Sequence, residues 1–343
     1  MPLLEHTDQG LYCAAGDFHI DPYRKVERAI ITHAHADHAR WGMGTYLCAE
    51  EGREVLRQRV HEGAPIEAEP YGKARDINGV RISFHPAGHL LGSAQVRVEH
   101  KGEVWVVTGD YKTEPDRTCA PFEPVRCHTF ITECTFGLPI YRWPPQQHVF
   151  DEINAWWRGN RERGWTSCLF GYSLGKAQRL ISGLDPAIGP ILVHGAVDRF
   201  VQVYRQAGID LPPTQPATAE AAKEHKGRCI VVAPPSAGNS PWIRKFAPFS
   251  LAFASGWMMI RGTRRRRSLD RGFVLSDHVD WPSLLATIDA TGAETIVATH
   301  GYKSALVRYL REQGRNAYAL DTQFTGEDGD EEPAEAPPQG SVS

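Results

Sequence analysis

Thr32-His33-Ala34-His35-Ala36-Asp37-His38 follows directly on the apolar run Ala29-Ile30-Ile31 and sets three imidazoles and one carboxylate within six positions. A strand ending in a loop this dense in ligand side chains can hold two cations side by side. Imidazole with carboxylate suits zinc and related first-row metals, and no thiolate is needed. Three later segments offer partners. Gly88-His89-Leu90-Leu91-Gly92 puts a histidine in a Gly-flanked turn, where backbone can approach an ion closely. Val107-Thr108-Gly109-Asp110 ends an apolar strand in an acid, as a bridging carboxylate requires, and Ala298-Thr299-His300 ends another in a histidine.

The 343-residue chain has room for about two domains. Its hydrophobic content of 41% and charged content of 23% are ordinary for a soluble globular protein. A net charge of -3 excludes a global basic field, so polyanion binding must come from local patches. Fifteen histidines are many for this length. The seven cysteines are odd in number and form no C-x-x-C pair, which argues against a disulfide framework or a thiolate zinc site. No signal peptide and no run long enough to span a bilayer is visible, so a cytoplasmic, reduced setting without membrane contact is expected.

Short strands dominate the first third, at 10–17, 29–32, 80–84, 94–98, 103–108 and 129–132, with an amphipathic helix at 50–60. From 138 the pattern becomes strands alternating with helices, which argues for a separate parallel α/β unit. Strands at 272–276 and 295–300 and helices at 281–290 and 304–313 return to the first pattern. The Pro-rich acidic tail at 326–343 cannot bury a core and reads as disordered.

The order of these motifs resembles the metallo-β-lactamase superfamily. The resemblance implies an α/β fold, an αββα sandwich with two metals at one edge of its paired sheets. Carried over, His33, His35 and His89 hold the first metal, Asp37, His38 and His300 the second, and Asp110 bridges both. Zinc is the expected metal and manganese the alternative. Asp17 matches a carboxylate that orients ligand histidines, or is a plain turn Asp.

Thr132-Glu133-Cys134-Thr135-Phe136-Gly137, Ser276-Asp277-His278 and Thr299-His300-Gly301 resemble motifs that surround the insertion of β-CASP nucleases. The implied domains are 1–137 and 268–325 for the sandwich and 138–267 for the inserted β-CASP unit. The implied chemistry is hydroxide held between the metals attacking a phosphodiester, with His278, held by Glu133, protonating the leaving oxygen. Asp37 and Asp110 share the catalytic centre.

Phe170-Gly171-Tyr172-Ser173-Leu174-Gly175-Lys176 reads strand, loop, helix. Tyr172, Ser173, Gly175 and Lys176 could cradle a phosphate at the helix start, resembling a segment of the DNA-crosslink-repair branch; a plain strand-to-helix turn is the alternative. Arg264, Arg265 and Arg266, in the only strong basic run, either contact a phosphodiester backbone or form a solvated loop. Trp156, Trp157, Trp242 and Trp257 suit the core better than base stacking.

The stretch from Thr108 through Pro139, and on to Lys176, resembles the bacterial ligase-associated DNA-damage-response exonucleases. This implies a DNA exonuclease of repair, acting on single strands or ends, with a 5′-phosphate possible and an ATP-dependent DNA ligase and a helicase as partners. One departure keeps RNA processing open: the DNA-specific branch usually has Val where His300 stands. A non-catalytic repair scaffold is the third reading.

Overall fold

The computed structural model describes residues 2–260 and 269–323. Nineteen strands among them build three sheets. The first sheet contains, in spatial order, β1 (Glu5–Thr7), β2 (Gly10–Cys13), β3 (Phe18–Ile20), β4 (Arg28–Ile30), β5 (Thr45–Ala49) and β6 (Ile66–Glu69). The second runs β19 (Asn316–Ala319), β18 (Thr295–Gly301), β11 (Thr129–Cys134), β10 (Glu103–Val107), β9 (Ala94–His100), β8 (Val80–Pro86) and β7 (Ala74–Ile77). Its β7–β10 half is antiparallel and its β10–β19 half parallel. Asn78-Gly79, both with positive φ, make the two-residue turn joining β7 to β8, the pair that matches the twist of a hairpin.

These two sheets face each other. Leu11, Phe18, Ile20 and Leu47 of one share a buried cluster with Ile82, Phe84, Val96, Val98 and Ile131 of the other. Each sheet also hides its second face. Helices Trp281–Thr291 and Lys303–Glu312 lay Leu284, Ile288, Leu306 and Leu310 on Phe130, Ile296 and Ala298. Outside the first sheet, helix Arg53–Val60 lies with helices of the third unit. Burial on both sides accounts for the adjacent apolar residues Phe130-Ile131 in β11 and Ile296-Val297-Ala298 in β18, where an alternating strand would interpose polar ones.

The third sheet is wholly parallel, ordered β14 (Thr214–Pro216), β13 (Ile191–Val193), β15 (Ile230–Ala233), β12 (Thr166–Phe170), β16 (Phe249–Ala254) and β17 (Arg271–Phe273). Ile230 and Val232 point to one cluster, Val231 and Ala233 to another, as a two-residue period demands. The expected boundary at 267 shifts, because β17 pairs in parallel with β16 and extends this unit to Phe273. The basic run with Arg264, Arg265 and Arg266, and the acidic tail at 326–343, lie outside the described residues. All seven cysteines are buried thiols. No helix among the described residues is long and apolar enough to cross a membrane.

Candidate metal centre

The C-terminal ends of β4, β11 and β18, with the loops after β8 and β10, bring the histidines and acids of the motifs to one edge. The loop after β4 carries His33 to His38, and that after β8 carries His89. Asp110 follows β10, whereas Glu133 and His300 sit at the ends of the neighbouring strands β11 and β18. Among the described residues, three groups of potential ligands result: His33, His35, His89 and Asp110; His38, Asp110 and His300; Asp110, Glu133 and His278. All are buried, and Asp110 belongs to each. Its Oδ2 lies 3.5 Å from His33 Nε2, 3.7 Å from His38 Nε2 and 3.9 Å from His89 Nε2, while Oδ1 accepts from His300 Nε2 at 2.8 Å. Asp37 stands beside the second group, its Oδ2 3.8 Å from His38 Nε2.

The opposite ring nitrogens reach back into the protein, as ligand histidines require to fix tautomer and orientation. His35 Nε2–H donates to the Leu174 carbonyl at 3.2 Å, and His89 Nδ1–H to the Asp277 carbonyl at 3.0 Å. Carbonyls only accept, so these partners leave His35 Nδ1 and His89 Nε2 as bare lone pairs when the rings are neutral. They face each other at 3.1 Å. Two lone pairs at that distance fit a cation placed against both. His33 adds a third nitrogen, Nε2, buried and without a hydrogen-bond partner among the described residues. The donor set of imidazoles and carboxylates fits divalent first-row metals.

A threonine precedes both His33 and His300, and its hydroxyl serves the ring behind it. Thr32 Oγ1 accepts from His33 Nδ1 at 3.0 Å and donates to Asp21 Oδ2 at 2.6 Å. Thr299 Oγ1 accepts from His300 Nδ1 at 3.2 Å and donates to the Thr132 carbonyl. Gly109, at φ 56°, leaves room for Thr32 where any side chain would strike its hydroxyl.

The expectation for Asp17 is corrected. Asp17 is exposed at φ 51° in the turn between β2 and β3, where its carboxylate accepts from the Tyr12 hydroxyl. Asp21 takes the orienting role: it is buried after β3, bonds the Thr32 amide and hydroxyl, and accepts from His38 Nδ1 at 2.7 Å. Its sequence signal was an acid closing the apolar Phe18-His19-Ile20, one strand beyond the turn mistaken for a strand end.

Electrostatics divide the ligands. Burial drives His33 and His89 well below the usual imidazole range, which keeps them neutral. Burial opposes the charged form of His38 too, but the carboxylates of Asp37, Asp110 and Asp21 outweigh it and push it up to about 10. Asp110, despite burial, is held well below the carboxylate range by His38, His278 and His300. His38 would have to give up that proton to serve as a metal ligand. Beside these ligands, His278 Nδ1–H donates to both oxygens of Glu133 at 2.9 Å, and the Tyr111 amide also binds Glu133. The His278 ring lies 5.0 Å from that of His89.

The expected phosphate cradle is not what the structure builds. Lys176 is fully buried, its Nζ donating to the Leu275 carbonyl at 3.0 Å and lying 3.2 Å from Asp277 Oδ1. The Gly175 amide is taken by Gln178 Oε1, the Lys176 amide by Leu174 O and the Ala177 amide by Tyr172 O. Tyr172 and Ser173 are buried as well. Of this segment, the Leu174 carbonyl and Lys176 join the third unit to the candidate metal centre, through His35 and Asp277. Arg179 and Asp277, which bear on this junction, were not singled out from sequence; only their position near the Lys176 and His278 motifs pointed to them. Trp157 is fully buried, while Trp156, Trp242 and Trp257 are half-buried.

Comparisons bear on this geometry. No family model matches the chain. It is 30% identical over 323 residues to a protein named "Probable DNA ligase" from Opitutus terrae, covering 93% of this chain and 31% of that protein. It is 31% identical over 165 residues to "Endoribonuclease YSH1" of Saccharomyces cerevisiae, covering 48% of this chain and 20% of that one. With "Cleavage and polyadenylation specificity factor 73" of Drosophila melanogaster it shares 28% identity over 179 residues, 46% of this chain and 24% of the relative. The chain thus spans less than a third of the length of each of these relatives. A crystal structure of a protein of unknown function from Enterococcus faecalis V583 superposes with a TM-score of 0.57 at 11% identity, covering 85% of this chain and 78% of that one. Over part of its length the chain is homologous to nucleases, and its mixed α/β fold recurs in a solved structure.

Proposed function

We propose that this chain is a two-metal phosphodiesterase of the metallo-β-lactamase type with a β-CASP unit, acting as a DNA exonuclease in repair. The observation that carries the reading is the convergence of two histidine groups on Asp110, with the His278–Glu133 pair against them. His33, His35 and His89 would hold one divalent cation, Asp37, His38 and His300 the other, and Asp110 both. Bound there, the cations would supply a water deprotonated near neutral pH and a positive field for the developing charge on phosphorus. The chain's own residues do the rest. Asp21 and the threonine hydroxyls hold the ligand rings, and burial keeps bulk water from loosening them. Glu133 holds His278 through Nδ1 and leaves its Nε2 to protonate the leaving oxygen.

The DNA substrate and the ligase link are supported by the ligase-named relative, which carries a region similar to 93% of this chain within a much longer polypeptide. ATP-dependent ligase and helicase partners, and work in the cytoplasm, belong to the same reading. The endoribonuclease relatives and the histidine at position 300 favour the second reading, an RNA-processing nuclease. Digestion of end-labelled single- and double-stranded DNA and RNA, with and without 5′-phosphate, across zinc and manganese, separates them. Release of mononucleotides from DNA ends is expected; faster internal cleavage of RNA would overturn the DNA assignment.

A further inference from the structure

Arg179 projects from helix Lys176–Ser182 of the third unit, yet none of its surface meets solvent. Its Nη2 donates to the carbonyls of Gly88 and His89, at 3.1 and 3.2 Å. These are the two peptide oxygens that flank the His89 side chain. Its Nη1 donates to Gln146, and its Nε lies between Asp277 Oδ1 at 3.6 Å and Asp116 Oδ2 at 3.8 Å. Asp277 in turn accepts the His89 ring proton on its own carbonyl and pairs with Lys176 through its carboxylate. Further along the His89 loop, the His89 and Leu90 amides both donate to Ser93, and the Leu91 amide donates to the hydroxyl of Tyr204, also from the third unit.

We propose that Arg179 is a positioning residue of the first metal group: it fixes the backbone on both sides of His89, so that docking of the third unit sets the ligand geometry of that group. The inference rests on the two-cation reading. Burying two cations and two carboxylates is an expensive way to join two units, and apolar packing of similar volume would join them at less cost. What apolar packing cannot do is hold two adjacent carbonyls in one orientation, which a planar guanidinium with several fixed donors does. The Leu174 carbonyl, one turn earlier, orients His35 in the same group. In the second group, His38 is held by Asp21 and His300 by Thr299, both from the sandwich.

Arg179→Lys keeps a charge facing Asp116 and Asp277 and so protects the fold, but one ammonium does not reproduce the fork. Cobalt(II) titration of the metal-free chain, read by visible absorption and by competition with a chelator, reports each group separately. The expected result is about a 10- to 100-fold weaker affinity and an altered spectrum at one equivalent, with the other unchanged. Equal weakening of both, or wild-type affinity at both, overturns the proposal. Should Arg179→Lys fail to fold, Asp116→Asn leaves Arg179 in place but frees its Nε side. A smaller loss confined to the same equivalent supports the proposal, and no selective loss overturns it. A wild-type chain that takes up fewer than two equivalents sinks the two-cation reading itself, a result distinct from a failure of selectivity.

Discussion

The loop from His33 to His38 and the segment from Tyr172 to Lys176 both read from sequence as candidate ligand sites, and the structure treats them in opposite ways. In the first, ring nitrogens are turned toward one another and toward Asp110, with lone pairs of His35 and His89 facing at 3.1 Å. In the second, Lys176 meets Leu275 and Asp277, and the helix-start amides meet carbonyls and Gln178. Residue types that can bind a ligand stay available for one where the fold leaves their chemistry unspent. Where the fold consumes it, they become braces.

The largest expected effect breaks the shared ligand. Asp110→Ala removes the carboxylate common to all three groups, and phosphodiester hydrolysis should fall below detection with loss of bound metal. Activity near wild type would remove the centre from its place. Next, His278→Ala should lower kcat by about 10²- to 10⁴-fold while both metals stay bound, measured by steady-state kinetics beside metal analysis. Loss of metal instead would make His278 a ligand.

Asp21→Asn and Asp17→Asn sharpen the contrast between buried brace and exposed turn. The first should weaken metal binding about 10- to 100-fold, since Asp21 supports His38 directly and His33 through Thr32. The second should leave metal affinity unchanged; equal effects of the two would contradict the correction.

The smallest effect concerns pH. Burial alone would raise the Asp277 carboxyl, but Lys176 and Arg179 hold it at about 2, below its ordinary value. A lowered folded pKa contributes stability that is complete above the unfolded pKa and disappears as pH falls through the folded one. Asp277 should thus contribute about 2 kcal/mol above pH ~4 that is lost toward pH ~2. Denaturant melts across that range should show the slope, and Lys176→Met, which weakens the hold on Asp277, should flatten it.

Much of the fold was legible because the strands of the sandwich end where the polar motifs begin. The runs at 80–84, 94–98 and 103–108 became β8, β9 and β10 almost unchanged. Strand β16, Phe-Ser-Leu-Ala-Phe-Ala at Phe249–Ala254, was missed, because it sits between two strands of its sheet and lacks the charged flank that marks an exposed one. The candidate ligands stand out in the sequence by type and density. Their orientation does not, since Leu174, Arg179 and Asp277 act on or through carbonyls far away in the chain, across 188 positions between His89 and Asp277. No spacing rule reports such a contact.

The central claim is that two cations at one edge of the sandwich support phosphodiester hydrolysis. Metal-free chain titrated with zinc or manganese, with hydrolysis of end-labelled DNA followed at each addition, tests it directly. Activity should rise to a plateau at two equivalents per chain. A plateau at one equivalent, or full activity in excess chelator, would contradict it.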